Sequence, residues 1–251
     1  MGSTLEDRGM PGTEAVAELA PGGMLRAGIN LGNPLLVTGR SASGDPTGVA
    51  PDMAAAIAGR LGVTCRLVGY ATPAEVARAV GEGECDIGLI GADPARADKV
   101  AFTAAYTEIE ATYLVGEASP FQTVEAVDQP GVRVGAKPGA AFTLWLERGL
   151  QRAELVPVAG AAEALEDLLS GKLDALANLR PTLGADAAAR PGLRVLPGRF
   201  MTVQQAVGTP RSHKAALPFL SAFVAEAVGA GLVAQLIERH RVEGLSVARG
   251  A

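Results

Sequence analysis

Paired carboxylates, imidazoles and thiols are the side chains best suited to chemistry, and this chain has few of them in working arrangements. Glu108 and Glu110 stand two residues apart in an extended segment, which puts both on one face and offers an acid–base pair. The only histidines are His213 and His240. Both fall in or beside polar C-terminal helices, with no cysteine or carboxylate cluster at ligand spacing, and read as solvated surface residues. Cys65 and Cys85 are the only cysteines. Their spacing matches no metal or redox motif, so they read as small buried residues at strand edges. The chain has no G-x-S-x-G elbow, no Walker loop and no H-E-x-x-H helix. No cofactor and no metal are expected, and no catalytic residue is assigned.

The elements that must position any site follow from composition and periodicity. The chain has 251 residues, 48% hydrophobic and 20% charged, which suits a folded chain of one large domain or two lobes. Aromatics are 4%, so the core must be aliphatic. A formal net charge of −5 argues against nucleic acid or an anionic membrane as the main partner, because phosphate binding needs clustered cations. The apolar runs fall far short of the ~20 residues of a membrane helix, so no membrane insertion is expected. Residues 1–23 mix Glu6, Asp7, Arg8, Pro11, Glu14 and Glu18 with small residues and read as a flexible lead-in. That stretch has no apolar block for a secretory leader, so the chain is cytosolic or its leader was removed.

Strand candidates are 25–29, 65–68, 87–90, 111–115, 133–136, 155–157, 175–178 and 203–207, with helices between them. Asp52 is placed as the cap of a helix carrying Met53, Ile57 and Leu61 on one face and ending at Gly62. Thr72-Pro73 opens another, with Val76 and Val80 one turn apart, and Asp93-Pro94 reads as an N-cap and first-turn proline. Phe142, Leu144 and Leu146 mark a helix after Gly139; Leu165, Leu168 and Leu169 mark one ending at Gly171. Residues 215–239 form one long helix broken near Gly229 and Gly231. Strands alternating with helices imply parallel sheets covered on both faces, and two modest sheets fit better than one wide one. No repeat of 20–50 residues stands out.

The stretch DIGLIGADPARADKVAFTAAY, residues 86–106, resembles the signature of the bacterial family 3 solute-binding proteins, the amino-acid receptors of ABC importers. The resemblance extends over about 24–240. LRAGINLGNPLLV (25–37) is similar to the family's first strand and ligand loop, and GVAPDMAAAIAGRLGV (48–63) to its next helix. GVRVGAKPGAAF (131–142) is similar to the start of the second lobe, GKLDALAN (171–178) to its later strand, and GLVAQLIERH (231–240) to the closing helix, with His240 in place of an aromatic. The resemblance implies an α/β, two-lobe periplasmic-binding-protein fold of type II, each lobe a small mostly parallel sheet with helices on both faces, joined by two crossings. Lobe 1 is expected at 24–110 plus 206–251 and lobe 2 at 111–205. In that fold Cys65 and Cys85 flank the first strand on opposite sides, out of disulfide reach.

The resemblance also implies a site. Arg96, two residues after Pro94, stands where the family grips a carboxylate, and a guanidinium forks onto a carboxylate as lysine does not. Gly91 offers its backbone, and Asp93 either caps the turn or faces a ligand amine. Gly139, Ala140 and Ala141 open a helix whose free N–H groups attract an anion. Asn30 and Asn33 either touch ligand or build turns; Tyr70, Thr72 and Gln204 or Gln205 are further candidates to line the cleft. Five residues after Asp174, where relatives commonly carry an Asp for the ligand ammonium, stands Leu179, flanked by Asn178 and Arg180. A leucine cannot balance a cation, and Arg180 favours an additional anionic group. Cationic amino acids are therefore expected to bind poorly, and uncharged or acidic carboxylates to be preferred.

The implied function is a monomeric, non-enzymatic receptor that clamps a small carboxylate, an amino acid or organic acid, between two lobes for an ABC permease. Its place is periplasmic by resemblance. The alternatives are a cytoplasmic sensor or ligand buffer and, with Glu110 as the candidate acid, a cyclohexadienyl dehydratase-like enzyme on the same fold.

Overall fold

The computed structural model describes residues 11–249; residues 1–10, the first part of the expected lead-in, lie outside the described residues. Along the chain run α1 (Thr13–Leu19), β1 (Met24–Asn30), β2 (Gly39–Arg40), β3 (Pro46–Thr47), α2 (Val49–Leu61), β4 (Thr64–Tyr70), α3 (Pro73–Gly81), β5 (Ile87–Gly91) and β6 (Val100–Gly116). Then come β7 (Arg133–Ala136), α4 (Ala141–Gly149), β8 (Glu154–Pro157), α5 (Ala161–Leu169), β9 (Ala175–Leu179), α6 (Arg180–Ala189), β10 (Leu193–Val195), β11 (Met201–Pro210), α7 (Ala216–Gly229), α8 (Leu232–Arg239) and β12 (Ser246–Val247). The chain divides into two compact units, one of residues 1–108 and 204–251 and one of 109–203. Strands β6 and β11 carry the chain across that division.

In the first unit β4, β1 and β5 are parallel neighbours in that order, and β11 runs antiparallel to β5. Leu25, Ala27 and Ile29 of β1 are fully buried, as are Met53 and Ile57 of α2 and Val76 and Val80 of α3. Gly28 lies opposite Gly88 in register. A Cβ on Gly88 would stand 2.8 Å from side-chain carbons of Val76 and Val80, so bare backbone lets α3 seat closely on the sheet.

Four expectations need correction in this unit. Within the expected lead-in, residues 13–19 form α1, with Ala15 and Leu19 buried. The Glu18 carboxylate accepts from the N–H groups of Lys214 (3.1 Å), Ala215 (2.9 Å) and Ala216 (2.8 Å), capping α7, whose own N-cap residue Ala215 has no acceptor. Helix α2 starts at Val49 behind Gly48, so Asp52 sits inside its first turn rather than capping it. Asp52 instead meets His240 Nε2 at 2.9 Å and Arg239 at 3.2 Å, while His240 Nδ1 stands 3.5 Å from the Thr38 hydroxyl. His240 is thus no solvated surface residue but the tie between α8 and α2. His213 is likewise not simply solvated: its Nδ1 is buried, with no hydrogen-bond partner among the described residues.

The second unit repeats the scheme. β8, β7 and β9 are parallel neighbours in that order, β6 runs antiparallel to β9, and β10 pairs with the end of β6. Its core gathers Leu165, Leu168, Leu173, Leu176, Leu183 and Leu193. Asp128 accepts the N–H groups of Gln151 (3.0 Å), Arg152 (2.8 Å) and Ala153 (2.8 Å), which leads the chain into β8. Helix α6 opens at Arg180-Pro181, where proline in a first turn suits a helix start.

Both units also share one ion-pair clamp. The Asp86 carboxylate accepts the Arg26 backbone N–H (2.7 Å), Nε (3.1 Å) and Nη2 (2.6 Å), tying the start of β5 to β1. Asp174 accepts the same three groups from Arg133 at 2.8, 2.9 and 3.1 Å, tying the start of β9 to β7. The two differ in exposure: the Asp86 side chain is 1% accessible and that of Asp174 34%. Asp86→Ala is therefore expected to cost about 3 kcal/mol, the low end for breaking a buried pair. Asp174→Ala is expected to cost about 1 kcal/mol, as for an exposed pair. Urea unfolding of both variants checks this; equal losses would show that burial does not set the worth of the clamp.

Candidate functional site

In open α/β sheets, ligands are bound outside the carboxyl ends of the parallel strands, where successive strands are laid down on opposite sides of the first. In the first unit the chain goes from β1 to β4 on one side and then to β5 on the other, so the reversal lies between the ends of β1 and β5. Asn30 ends β1 and Gly91 ends β5. The turn after Gly91 is a short 3-10 helix, Pro94–Arg96, with Asp93 as N-cap: its Oδ1 accepts from Ala95 N–H at 2.8 Å.

Arg96 is brought back over this edge by the turn and donates from Nη1 to the Gly91 carbonyl. It is only 7% exposed. Burial pulls its guanidinium down to about 10, against the opposing effect of the Asp93 charge, so it remains a cation at neutral pH. Gln205 pairs with Gly91 across the sheet, and Gln204 accepts Ala92 N–H through its carbonyl at 2.7 Å. The Gln204 side chain reaches Glu108 at 3.3 Å.

Other candidates at this edge are occupied by local structure. Asn30 Oδ1 accepts from Gly32 N–H and Asn33 Oδ1 from Leu35 N–H, both at 3.1 Å, so both acceptors build turns. Thr72 closes a capping box with Glu75 at the start of α3. Tyr70 is committed to the α3 side of the sheet, where it packs on the Val76–Val80 cluster with its hydroxyl 3.5 Å from Cys85 Sγ. Cys65 and Cys85 are free thiols, on strands flanking β1 on either side or just ahead of one.

In the second unit the reversal lies between the ends of β7 and β9. Gly139, at φ +73°, turns the chain after β7 into α4, where Ala140 is an N-cap without a side-chain acceptor and Ala141 the first helical residue. The end of β9 carries Asn178, whose Oδ1 accepts from Leu179 N–H at 2.8 Å, and Leu179, buried as the N-cap of α6. Register places Ala111 of β6 opposite Leu179, so Glu110 belongs to the same edge.

Glu110 is not a partner for Glu108. Its carboxylate takes Arg180 Nε at 2.7 Å on one oxygen and Arg199 Nη1 at 2.7 Å on the other. Arg180 donates further to the carbonyls of Leu196 and Gly198. The Arg180 contact, helped by Arg199 and opposed by burial, holds the Glu110 carboxyl below the usual glutamate range. It is thereby held ionised and is a poor proton donor, so the acid role offered for it is withdrawn. Arg180 in turn is committed to Glu110 rather than standing beside Leu179 as an unmatched cation. Arg199 was not singled out from the sequence. Its arrival follows from the fold, since Phe200 N–H bonds Ala111 carbonyl at 3.1 Å, and no local pattern around Pro197-Gly198-Arg199 signals it.

Because the Glu110 pKa is lower in the folded than in the unfolded chain, its contribution to stability is present above the ordinary glutamate range and is lost as pH falls through the folded value. Glu110→Gln is expected to lower the thermal midpoint at pH 7 and to flatten the decline of wild-type stability on acidification. A pH series of thermal midpoints checks both, and parallel curves for the two proteins would contradict the pairing.

Comparison with known proteins matches this arrangement to one family. Residues 25–241 match the bacterial extracellular solute-binding proteins, family 3. No curated protein matches the chain in sequence. Among solved structures it is similar to an amino acid ABC transporter substrate-binding protein from Streptococcus pneumoniae bound to L-arginine, at 21% identity and TM-score 0.71, over 93% of this chain and 99% of that one. It is similar to a mutant of ArgBP from T. maritima, at 23% identity and TM-score 0.70, over 91% and 100%. It is also similar to the ancestral amino acid-binding protein AncCDT-1, described as a precursor of cyclohexadienyl dehydratase, at 24% identity and TM-score 0.69, over 86% and 94%. The α/β architecture and two-lobe type II fold expected from the sequence are those of these structures. With the signature, the fold and the matched span in agreement, the chain belongs to the bacterial extracellular solute-binding proteins, family 3.

Proposed function

We propose that this protein is the receptor of an ABC importer, working outside the cytoplasmic membrane, that binds a small carboxylate of the amino-acid or organic-acid class and delivers it to a permease. The observation that carries this reading is Arg96. A guanidinium that is 7% exposed at the carboxyl end of β5, pulled below its ordinary pKa by burial, gains most from an arriving anion. A carboxylate presented to this edge would meet Arg96 with the backbone of Gly91 and the amide of Gln204 beside it, and Asp93 holding the turn. In the second unit the start of α4 at Ala140 and Ala141 has no side-chain cap and is the corresponding anion-attracting position.

In this reading lobe 1 (24–110 plus 206–251) and lobe 2 (111–205) close over the ligand through the two crossing strands, and the protein acts as a monomer without nucleic-acid partners. It carries out no chemical step; its work is selective capture and release. Neighbours of the same fold are described with bound L-arginine, which supports an amino-acid-sized ligand.

Arg96→Ala is expected to weaken binding by ~30-fold to several thousand-fold, the range for losing a charge-assisted pair in a closed site. Arg96→Lys, which keeps charge but loses the fork, should fall between. Titration calorimetry against a panel of amino acids and short organic acids measures this, with circular dichroism to check folding. Unchanged affinity in folded Arg96→Ala would remove the residue, and this reading, from the site.

A further inference from the structure

We infer that a cavity within the first unit, walled by α1, α2 and α7, binds a small organic ammonium carried on an apolar body. The cavity has a volume of about 450 Å³, in the range of small-molecule sites. Its Arg60 lies in the last turn of α2, which leads to the amino end of β4, so the cavity is set apart from the carboxyl edge that carries Gly91 and Arg96. Helix α7 supplies the apolar wall. Its Leu220, Val224 and Ala227 are buried in the core, while Phe219 and Ala222 turn instead to the cavity, beside Phe223. A helix needs one apolar stripe to hold a core, and this second strip is apolar surface beyond that need.

The charges on the wall select the ligand. Arg60 forks onto Glu226 at 2.9 and 2.6 Å and lies 5.5 Å over the Phe223 ring. Both of its terminal nitrogens are used, so an anion would have to displace Glu226. Glu14 lines the cavity from the first turn of α1, is exposed, and makes no ion pair among the described residues. Two carboxylates against one guanidinium leave this wall with one negative charge in excess. The Phe219 ring is half-buried and, among the described residues, has no cation over its face. Arg60 on Phe223 shows a cation already seated on an aromatic ring of this wall. A ligand ammonium would meet the unmatched carboxylate of Glu14, while Phe219 and Ala222 take its apolar body. A carboxylate of the same shape would meet only excess negative charge.

The test is calorimetry of the full chain with 2-phenylethylammonium, 2-phenylethanol and 3-phenylpropionate, which share a body and differ in charge. The ammonium is expected to bind about 5-fold tighter than the alcohol, the scale of one exposed ion pair, and the propionate more weakly than either. Ala222→Trp, which fills the cavity from an exposed helix position, should abolish ammonium binding, and Glu14→Gln should reduce it to the level of the alcohol. Circular dichroism establishes that the variants fold, and Glu14→Gln, an exposed change, carries the test should Ala222→Trp fail to fold. Tightest binding of the propionate, no heat from the ammonium at ~10 mM, or an ammonium affinity indifferent to either folded variant overturns the inference. A dimer in sedimentation that Ala222→Trp abolishes would assign this face to a second copy of the chain and overturn it too. The site is independent of Arg96, so its failure leaves the carboxylate reading as it stands.

Discussion

A buried carboxylate, Asp86, sets the geometry on which the first unit depends. An ion at 1% exposure is tolerable only if its charge and lone pairs are met, and Arg26 meets them with one backbone and two guanidinium donors. Because those donors come from β1, the bond fixes where β5 begins beside it. β5 then runs about 15 Å to its carboxyl end, at ~3.3 Å per residue, and delivers Gly91 and the Asp93 turn to the edge where β1 ends. Displacement of Asp86 would shift that turn and the guanidinium it carries. The same clamp in the second unit, Asp174 on Arg133, fixes β9 against β7 and so places Leu179 and Arg180. One local solution thus positions both edges.

The clamps explain why so much of the fold was readable from the sequence. The strand segments beginning at Leu25 and Arg133, and those preceded by Asp86 and Asp174, are short apolar runs with a charge at one end, and the helices between them carry apolar residues at helical spacing. Pro73 behind Thr72 and Pro94 behind Asp93 mark their turns by side-chain chemistry, and both are used as such. The reach of β6 to Val100 was less legible, since Ala104 and Ala105 dilute its strand character. Helix α1 was missed for a related reason. Its stability comes from Leu19 in the core and from Glu18 capping a helix almost two hundred residues away in sequence, and neither contact leaves a local trace.

The site was legible in proportion to how local its geometry is. Gly91, Asp93 and Arg96 lie within one turn, and their arrangement follows from that turn. Asn30, Asn33 and Thr72 lie at the same edge, but short polar side chains next to free backbone groups are taken up by caps and turns, and the structure uses all three that way. Glu110, Arg180 and Arg199 are scattered over ninety residues of sequence; the antiparallel pairing of β6 with β9 brings Glu110 to Arg180, and the bond from Phe200 N–H to the Ala111 carbonyl brings Arg199. Nothing in the composition around Glu110 distinguishes a free acid from one held by two guanidiniums.

Seven carboxylates in this protein are committed to structure. Asp86 and Asp174 clamp strands, Glu18 caps α7, Asp128 gathers three N–H groups, Asp52 ties α8 to α2, Asp93 caps its turn, and Glu110 is shared between arginines. Guanidiniums answer them: Arg26, Arg133, Arg180 and Arg199 pair with those carboxylates, while Arg96 is turned back over the carboxyl end of β5. Desolvating a cation is costly, and an arriving anion offsets that cost most where the cation is already partly dehydrated. At the carboxyl end of β5 that cation is Arg96, 7% exposed.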